Sequence, residues 1–386
     1  MKITAVTGYP VHIGHRNQFV VKVETDAGIS GVGEGGISGR ELAMQGMLDH
    51  FHALLIGEDP HRIEHLWQLM YRGAYFEGGK ITGAVISAID IALWDILGKS
   101  LDVPVWQLIG GRVRDRVPCF ATPGALSGPE IVDVAVAAAD AGWNILRFTP
   151  GMADEGWTGV DGAVYEPLES IDVAVALLHR LRRELPPHVR LAVDFHHRLN
   201  PAEASYFCRQ IEDVNLLFLE EPIRCEDPAA YHQLRKATNI PFAIGEEFSS
   251  KWAFAPYLEG GLINYARVDV CNVGGITEAR KIAGWCETHY IDLVPHNPLG
   301  PISTAALVHL GVATSNYAWL EHFLGYTVST PRDLFPAMLD IEGTAFEAPT
   351  APGLGVEFDE SAVPDYPYQE WMAPRWFRRD GAYTNW

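Results

Sequence analysis

The chain has 386 residues, 48% of them hydrophobic and 20% charged, enough for the cores of two or three structural units and incompatible with a disordered or low-complexity protein. Lysine and arginine number 29 against 49 aspartates and glutamates, and the formal charge of −20 opposes nucleic acid or an anionic membrane as the main partner. A small anionic substrate is compatible with it, because a bound metal inverts the local field. Five cysteines (Cys119, Cys208, Cys225, Cys271, Cys286) without CxxC spacing fit a reduced, cytoplasmic chain. No secretion signal opens the sequence, and no run of about 18 apolar residues marks a membrane span.

In chain order, Lys2–Val6 and Phe19–Thr25 alternate as strands, with a hairpin turn at Asp26-Ala27-Gly28. A glycine-rich stretch, GISGVGEGGISGR, precedes helical patterning over Glu41–Leu55. Thr82–Leu97 is strongly helical, with Ile89, Leu93, Ile96 and Leu97 on one face and a stop at Gly98. This first unit covers residues 1–115. From Val117 the rhythm becomes strand, helix, strand, helix. Strands are predicted at Val117–Ala121, Ile145–Thr149, Leu191–Phe195, Leu216–Leu219, Phe242–Gly245, Tyr265–Val270, Leu293–His296 and Trp319–Glu321, separated by helices. Such alternation implies a parallel sheet, and this many units over residues 116–325 favour a closed barrel over an open doubly wound sheet. A GxxxxGK[ST] fingerprint is absent, which also weakens the open-sheet nucleotide-binding alternative. Residues 326–386 are Pro-rich, aromatic and too apolar for a free tail, so they are expected to pack back on the N-terminal unit.

The informative feature is where the acids fall. Asp194 ends LAVD, Glu220 ends LFLE and Glu246 follows FAIG, each 26 residues after the last. One strand-loop-helix period apart, they share the rim of the barrel where active sites form. Acids at strand ends also cap helices. Three in register after apolar runs repel one another unless a cation sits among them, and an oxygen-only donor set selects a hard ion, Mg²⁺. Glu221 and Glu247 fall on the other face by alternation.

Two further periods bring Asp269 (YARVDV) and His296 (LVPHNP) to adjacent strands, a carboxylate-oriented general base. His196, two residues after Asp194, faces the same way and is a second proton carrier. Zinc ligation by His196 and His296 is the competing reading. His197 points away and is structural, and Glu321 (WLEHF) is a candidate hydrogen-bond partner for a substrate oxygen or a rim salt bridge.

Together GVGEGG, AVISAIDIALWDILGK, GGRVRDRV, VDFHHR, LEEP, IGEE, DVCNVGGITEARKIA, PHNPLGP, WLEHF and APGLGVEFDE resemble the enolase superfamily, in its mandelate racemase-like branch. The resemblance implies a modified TIM barrel of (β/α)7β type under an α+β capping domain built from both chain ends. It also implies Mg²⁺ on Asp194, Glu220 and Glu246, an Asp269–His296 base, and Glu321 on the substrate carboxylate. The implied chemistry is removal of the proton α to a carboxylate.

On the second strand Arg147-Phe148-Thr149 stands where many relatives have a Lys-x-Lys pair, which disfavours a two-base racemase, an epimerase or a lysine-dependent cycloisomerase. His196 resembles the general acid of the acid-sugar dehydratases, so the expected reaction takes an aldonate to a 2-keto-3-deoxy acid. A homologue without catalytic activity is the remaining alternative. Asp269–His296, LEEP and PHNPLGP look like the D-galactonate dehydratase branch; Arg147, VYEP, HHRLNP and DGAYTNW look more like the D-mannonate branch. The tyrosine that branch uses after the second strand has no counterpart in GWTGVDG, which offers Trp157, while Tyr165 lies in VYEP. Arg147 is then left to bind substrate or to make a barrel ion pair. Substrate choice is expected from capping loops at Pro10–Gln18 (His15, Arg16, Asn17, Gln18) and Gly33–Gly39, and from Tyr75 and Phe76, and family relatives imply a homo-oligomer.

Overall fold

The computed structural model describes residues 1–73, 75–152, 162–324 and 330–384. It opens with an antiparallel meander, β1 (Ile3–Ile13), β2 (Arg16–Thr25) and β3 (Ser30–Gly35), followed by α1 (Glu41–Leu55), α2 (Ile63–Arg72), α3 (Lys80–Leu101) and the single turn α4 (Val105–Leu108). The glycines of GISGVGEGG let β3 lie directly on α3. A Cβ at Gly33 would stand 1.7 Å from the Ala88 carbonyl oxygen, and one at Gly31 would stand 2.1 Å from that of Ala92. By length and hydropathy α3 is apolar enough to cross a bilayer, contrary to the expectation that no such segment exists. Yet 78% of its apolar window is buried inside the protein, so it is the core helix of the first unit.

The second unit runs β4 (Arg116–Leu126), α5 (Ile131–Asp140), β5 (Ile145–Pro150), α6 (Pro167–Glu184), β6 (Arg190–Asp194), α7 (Pro201–Gln210), β7 (Phe218–Glu220), α8 (Pro228–Ala237), β8 (Phe242–Ile244), α9 (Lys251–Glu259), β9 (Tyr265–Ala266), α10 (Gly275–Thr288), β10 (Asp292–Leu293), α11 (Pro301–Ala313) and β11 (Leu320–Phe323). The strands are parallel in the order β10-β9-β8-β7-β6-β5-β4-β11. A parallel bridge from Leu293 to Tyr317, just before β11, brings the last strands back together. Eight strands with seven intervening helices form the modified TIM barrel, under the N-terminal capping unit. Glu34 of β3 crosses between the units, accepting the N–H groups of Gly300 (2.9 Å) and Ser303 (3.0 Å) at the start of α11.

Three expectations are refined. The ladder at β9 and β10 is shorter than predicted, but single bonds continue beyond it, Val294 N–H to Ala266 O and His296 N–H to Val268 O, so Asp269 and His296 stay side by side. Glu246 does not end a strand. β8 stops at Ile244 and Gly245 (φ +132°) turns the chain, because a Cβ there would meet the Phe254 ring at 2.5 Å. Finally, the tail packs on both units. β12 (Ala345–Glu347) pairs antiparallel with β4, Leu354 N–H and Gln369 N–H bond Asp95 and Asn17 of the capping unit, and the hairpin of β13 (Trp376–Phe377) and β14 (Tyr383–Thr384) bonds Tyr165 N–H over the barrel.

Candidate active site

Asp194 and Glu220 are register partners on β6 and β7, and Glu246 reaches them from the turn after β8. One oxygen from each lies within 4.8 Å of the others. Both Asp194 and Glu220 are fully buried, a costly arrangement that needs compensating charge. Two buried guanidiniums provide part of it. Arg147 Nη1 is 2.9 Å from both Asp194 Oδ2 and Glu220 Oε2, and its Nη2 is 2.7 Å from Glu321 Oε1. Arg267 reaches Glu220 (2.5 Å) and Glu321 Oε2 (2.6 Å).

Arg147 therefore makes a barrel ion pair in this structure. Glu321 is likewise committed to Arg147, Arg267 and the Asn297 N–H (2.9 Å). Burial pushes the Glu321 carboxyl up, but the two arginines outweigh it and hold it at about 2. Burial also opposes ionisation of Asp194, and His196 and Arg147 bring it well below the usual carboxylate range. Glu246 has weaker support, with only the more distant Arg267 favouring its charge. Burial, then the charges of Asp194, Glu220 and Glu221, push it far above its ordinary value, and its Oε2 is buried without a hydrogen-bond partner. Four carboxylates against two arginines leave room for a cation, and hard oxygen donors within this span fit a divalent ion such as Mg²⁺.

Two histidines meet the cluster. His196 Nε2 is 2.8 Å from Asp194 Oδ2, and its backbone N–H bonds Asp194 Oδ1 at 2.9 Å. Strand alternation is not what aims it. β6 has ended, and His196 and His197 both adopt left-handed backbone (φ +47° and +61°), folding the first ring back over Asp194. Arg198 Nη2 approaches the His196 Nδ1 at 3.1 Å. Its guanidinium also donates to the Pro150 carbonyl and lies against the rings of Tyr165 (5.2 Å) and Trp376 (4.6 Å). Tyr165 is thus buried behind Arg198 rather than in the site; Trp157 lies outside the described residues. His296 Nδ1 is 2.8 Å from Asp269 Oδ2, and its Nε2 is 3.8 Å from Glu246 Oε2. Asp269 is fixed in turn by the Cys271 N–H (2.8 Å) and Asn272 Nδ2 (3.0 Å).

Arg267 and Arg198 were not among the expected site residues. Arg267 was legible in YARVDV, two residues before Asp269 on the same face of the strand. Arg198 carried no comparable signal, because its role depends on the turn after β6. Of the capping loops, His15, Arg16 and Gln18 line a cavity of about 400 Å³ that also touches Asn297, Glu321 and Phe323. Asn17 instead ties down Gln369, and Tyr75 and Phe76 are each 86% exposed and line no part of it.

Comparison with known proteins agrees with this architecture. Residues 6–110 match the N-terminal domain of the mandelate racemase/muconate lactonizing enzymes, and residues 130–362 match the enolase C-terminal domain-like family. A D-galactonate dehydratase family member from Streptomyces bingchenggensis is 35% identical, over 96% of this chain and 95% of its own. The crystal structure of an enolase from Pantoea ananatis with bound D-gluconate and magnesium superposes with a TM-score of 0.91, at 28% identity over 99% of both chains. One from Agrobacterium radiobacter with bound sodium and L-malate gives 0.89, at 29% identity over 100% of both chains. The chain belongs to the mandelate racemase/muconate lactonizing enzyme family of the enolase superfamily.

Proposed function

We propose that this protein is a sugar-acid dehydratase working with Mg²⁺ held by Asp194, Glu220 and Glu246. The observation that carries the reading is the opposite polarisation of the two histidines. Behind His296 stands a carboxylate, which only accepts, so the ring proton sits on Nδ1 and the Nε2 lone pair faces the cluster as a base. Behind His196 stands a guanidinium, which only donates, so Nδ1 accepts and the ring proton sits on Nε2, beside Asp194.

The bound cation supplies Lewis-acid stabilisation for the charge that develops on the substrate carboxylate. His296 takes the proton from the carbon next to that carboxylate. His196 donates its Nε2–H as a hydrogen bond to the hydroxyl leaving the neighbouring carbon; that hydroxyl departs as water with the proton His296 removed, so both rings end neutral, and the enol product tautomerises to a 2-keto-3-deoxy acid. A racemase needs a second base instead, and Arg147 spends its terminal nitrogens on Asp194, Glu220 and Glu321. A D-galactonate-type aldonate is the favoured substrate, with the Asp269–His296 pair and the Streptomyces relative behind it. The D-gluconate bound by the Pantoea relative makes gluconate the second choice.

Purified protein with Mg²⁺ is screened against aldonic and aldaric acids, with keto-acid product read by semicarbazide. The expected result is turnover of one or two aldonates, lost with EDTA and in His296→Asn. Exchange of the C2 proton with solvent deuterium without dehydration would point to an epimerase and overturn the reading.

A further inference from the structure

We propose that a second cation site, of softer character, lies behind the acidic cluster: His197, Glu221 and Cys225 bind a borderline divalent cation such as Zn²⁺, with Glu247 orienting the imidazole and solvent completing the coordination. The rim carries three pairs of adjacent residues, His196-His197, Glu220-Glu221 and Glu246-Glu247. The first member of each faces the acidic cluster, and the second members gather just behind it with Cys225, His197 Nε2 lying 3.9 Å from Glu246 Oε1. One donor atom from each of His197, Glu221 and Cys225 lies within 4.8 Å of the others. His197 Nδ1 is 3.3 Å from Glu221 Oε2, His197 Nε2 is 3.5 Å from Glu247 Oε2, and that oxygen is 3.6 Å from Cys225 Sγ. Bonds of about 2.0–2.3 Å in a tetrahedron space their ligand atoms by roughly 3.3–3.8 Å; the His197 Nδ1–Glu221 Oε2 separation of 3.3 Å matches this, and the Cys225 thiol, within 4.8 Å, needs only a small side-chain adjustment to join them.

Both carboxylates are fixed through one oxygen and offer the other. Glu221 Oε1 accepts the Gly245 N–H at 2.7 Å and turns Oε2 to the imidazole and the Tyr231 hydroxyl (3.4 Å). Glu247 Oε1 accepts from Lys80 Nζ at 2.9 Å, leaving Oε2 between ring and thiol. With His197 Nδ1 ligating beside Glu221, Nε2 faces the Glu247 carboxylate at 3.5 Å, the usual orientation of a metal-bound imidazole. A cavity of about 680 Å³ lined by Lys80, His197, Cys225 and Glu247 gives the ion a way in. Sulfur and nitrogen donors select Zn²⁺ over Mg²⁺, so donor chemistry sorts the two ions between the two sites. On binding, the Cys225 thiol releases its proton to solvent.

The test uses the full-length protein, stripped with EDTA, dialysed and titrated with Co²⁺ in excess Mg²⁺. The expected result is a thiolate-to-cobalt charge-transfer band that saturates near about one equivalent and is displaced by Zn²⁺ but not by more Mg²⁺. It should vanish in Cys225→Ser and persist in Cys286→Ser. His197→Asn should keep the thiol but weaken Co²⁺ binding by about tenfold or more. No band in the parent protein, a band undiminished in Cys225→Ser, or unchanged affinity in His197→Asn would each overturn the proposal. Circular dichroism of each variant separates loss of a ligand from loss of the fold.

Discussion

His196 and His296 address the same acidic cluster, and what differs is the support behind each ring. Behind His296 stands an acceptor, Asp269, locked by the Cys271 N–H and the Asn272 amide. Behind His196 stands a donor, Arg198, locked by the Pro150 carbonyl and by the Tyr165 and Trp376 rings. One imidazole is thereby set to accept a proton through Nε2 and the other to donate a hydrogen bond through it. The division of labour in the proposed reaction lies in the supporting groups.

The sharpest way to break this comparison is to remove each ring in turn. His296→Asn is expected to lower turnover by roughly 10³-fold or more and to abolish exchange of the substrate C2 proton with solvent deuterium. His196→Asn is expected to lower dehydration by roughly 10²–10⁴-fold while C2 exchange continues. Mass spectrometry of recovered substrate in D₂O reads the difference. Loss of exchange in both variants would mean that the two rings are not divided as base and acid.

Most of this site was legible in the sequence, for a physical reason. Parallel strands of similar length, each followed by one helix, repeat at a near-constant interval, so the 26-residue spacing of Asp194, Glu220 and Glu246 reports position on the barrel. The same periodicity found Asp269 and His296. What it could not give was anything set by non-repetitive backbone. The left-handed turn at His196-His197, the swing of Glu246 past Gly245 and the placement of Arg198 all depend on φ values the pattern does not encode. Nor did composition show that Trp376, about 180 residues from Arg198 in the chain, would stack on it. VYEP, HHRLNP and the C-terminal aromatics were visible as separate motifs, and only the fold joins them into one support for His196.

That support can be weakened without touching the reacting groups. Arg198→Gln removes the obligate donor to His196 Nδ1, so the ring is free to hold its proton on either nitrogen. The expected effect is about a 10–100-fold fall in kcat with KM little changed, the size seen when partners orienting a functional imidazole are lost. Trp376→Ala should give a smaller fall in kcat, because the guanidinium keeps its bond to Pro150 and loses only ring contact. A change confined to KM in either variant would place these residues in substrate binding instead.

A third histidine calibrates the other two. His309 on α11 is buried, with Nδ1 accepting the Trp106 N–H (3.1 Å) and Nε2 bonded to the Leu354 carbonyl (3.2 Å), so it pins the end of the capping unit and the tail to the barrel. Both partners are backbone groups, which fix a neutral ring but supply no charge, and burial lowers its pKa from 6.5 to about 4. The unfolded chain therefore takes up this proton at a higher pH than the folded one. The stability the neutral ring contributes is complete above about pH 6.5 and is lost as pH falls toward 4, by roughly 3 kcal/mol in all. His309→Gln cannot titrate. It should cost about 1–3 kcal/mol at pH 7.5 through imperfect hydrogen bonding, yet lose less further stability than the parent protein between pH 7.5 and pH 5 in urea denaturation. Turnover per folded molecule at pH 7.5 should be unchanged, which separates a histidine held by backbone from two held by charged side chains. Parallel pH dependences in the two proteins would show that His309 does not carry this part of the acid sensitivity.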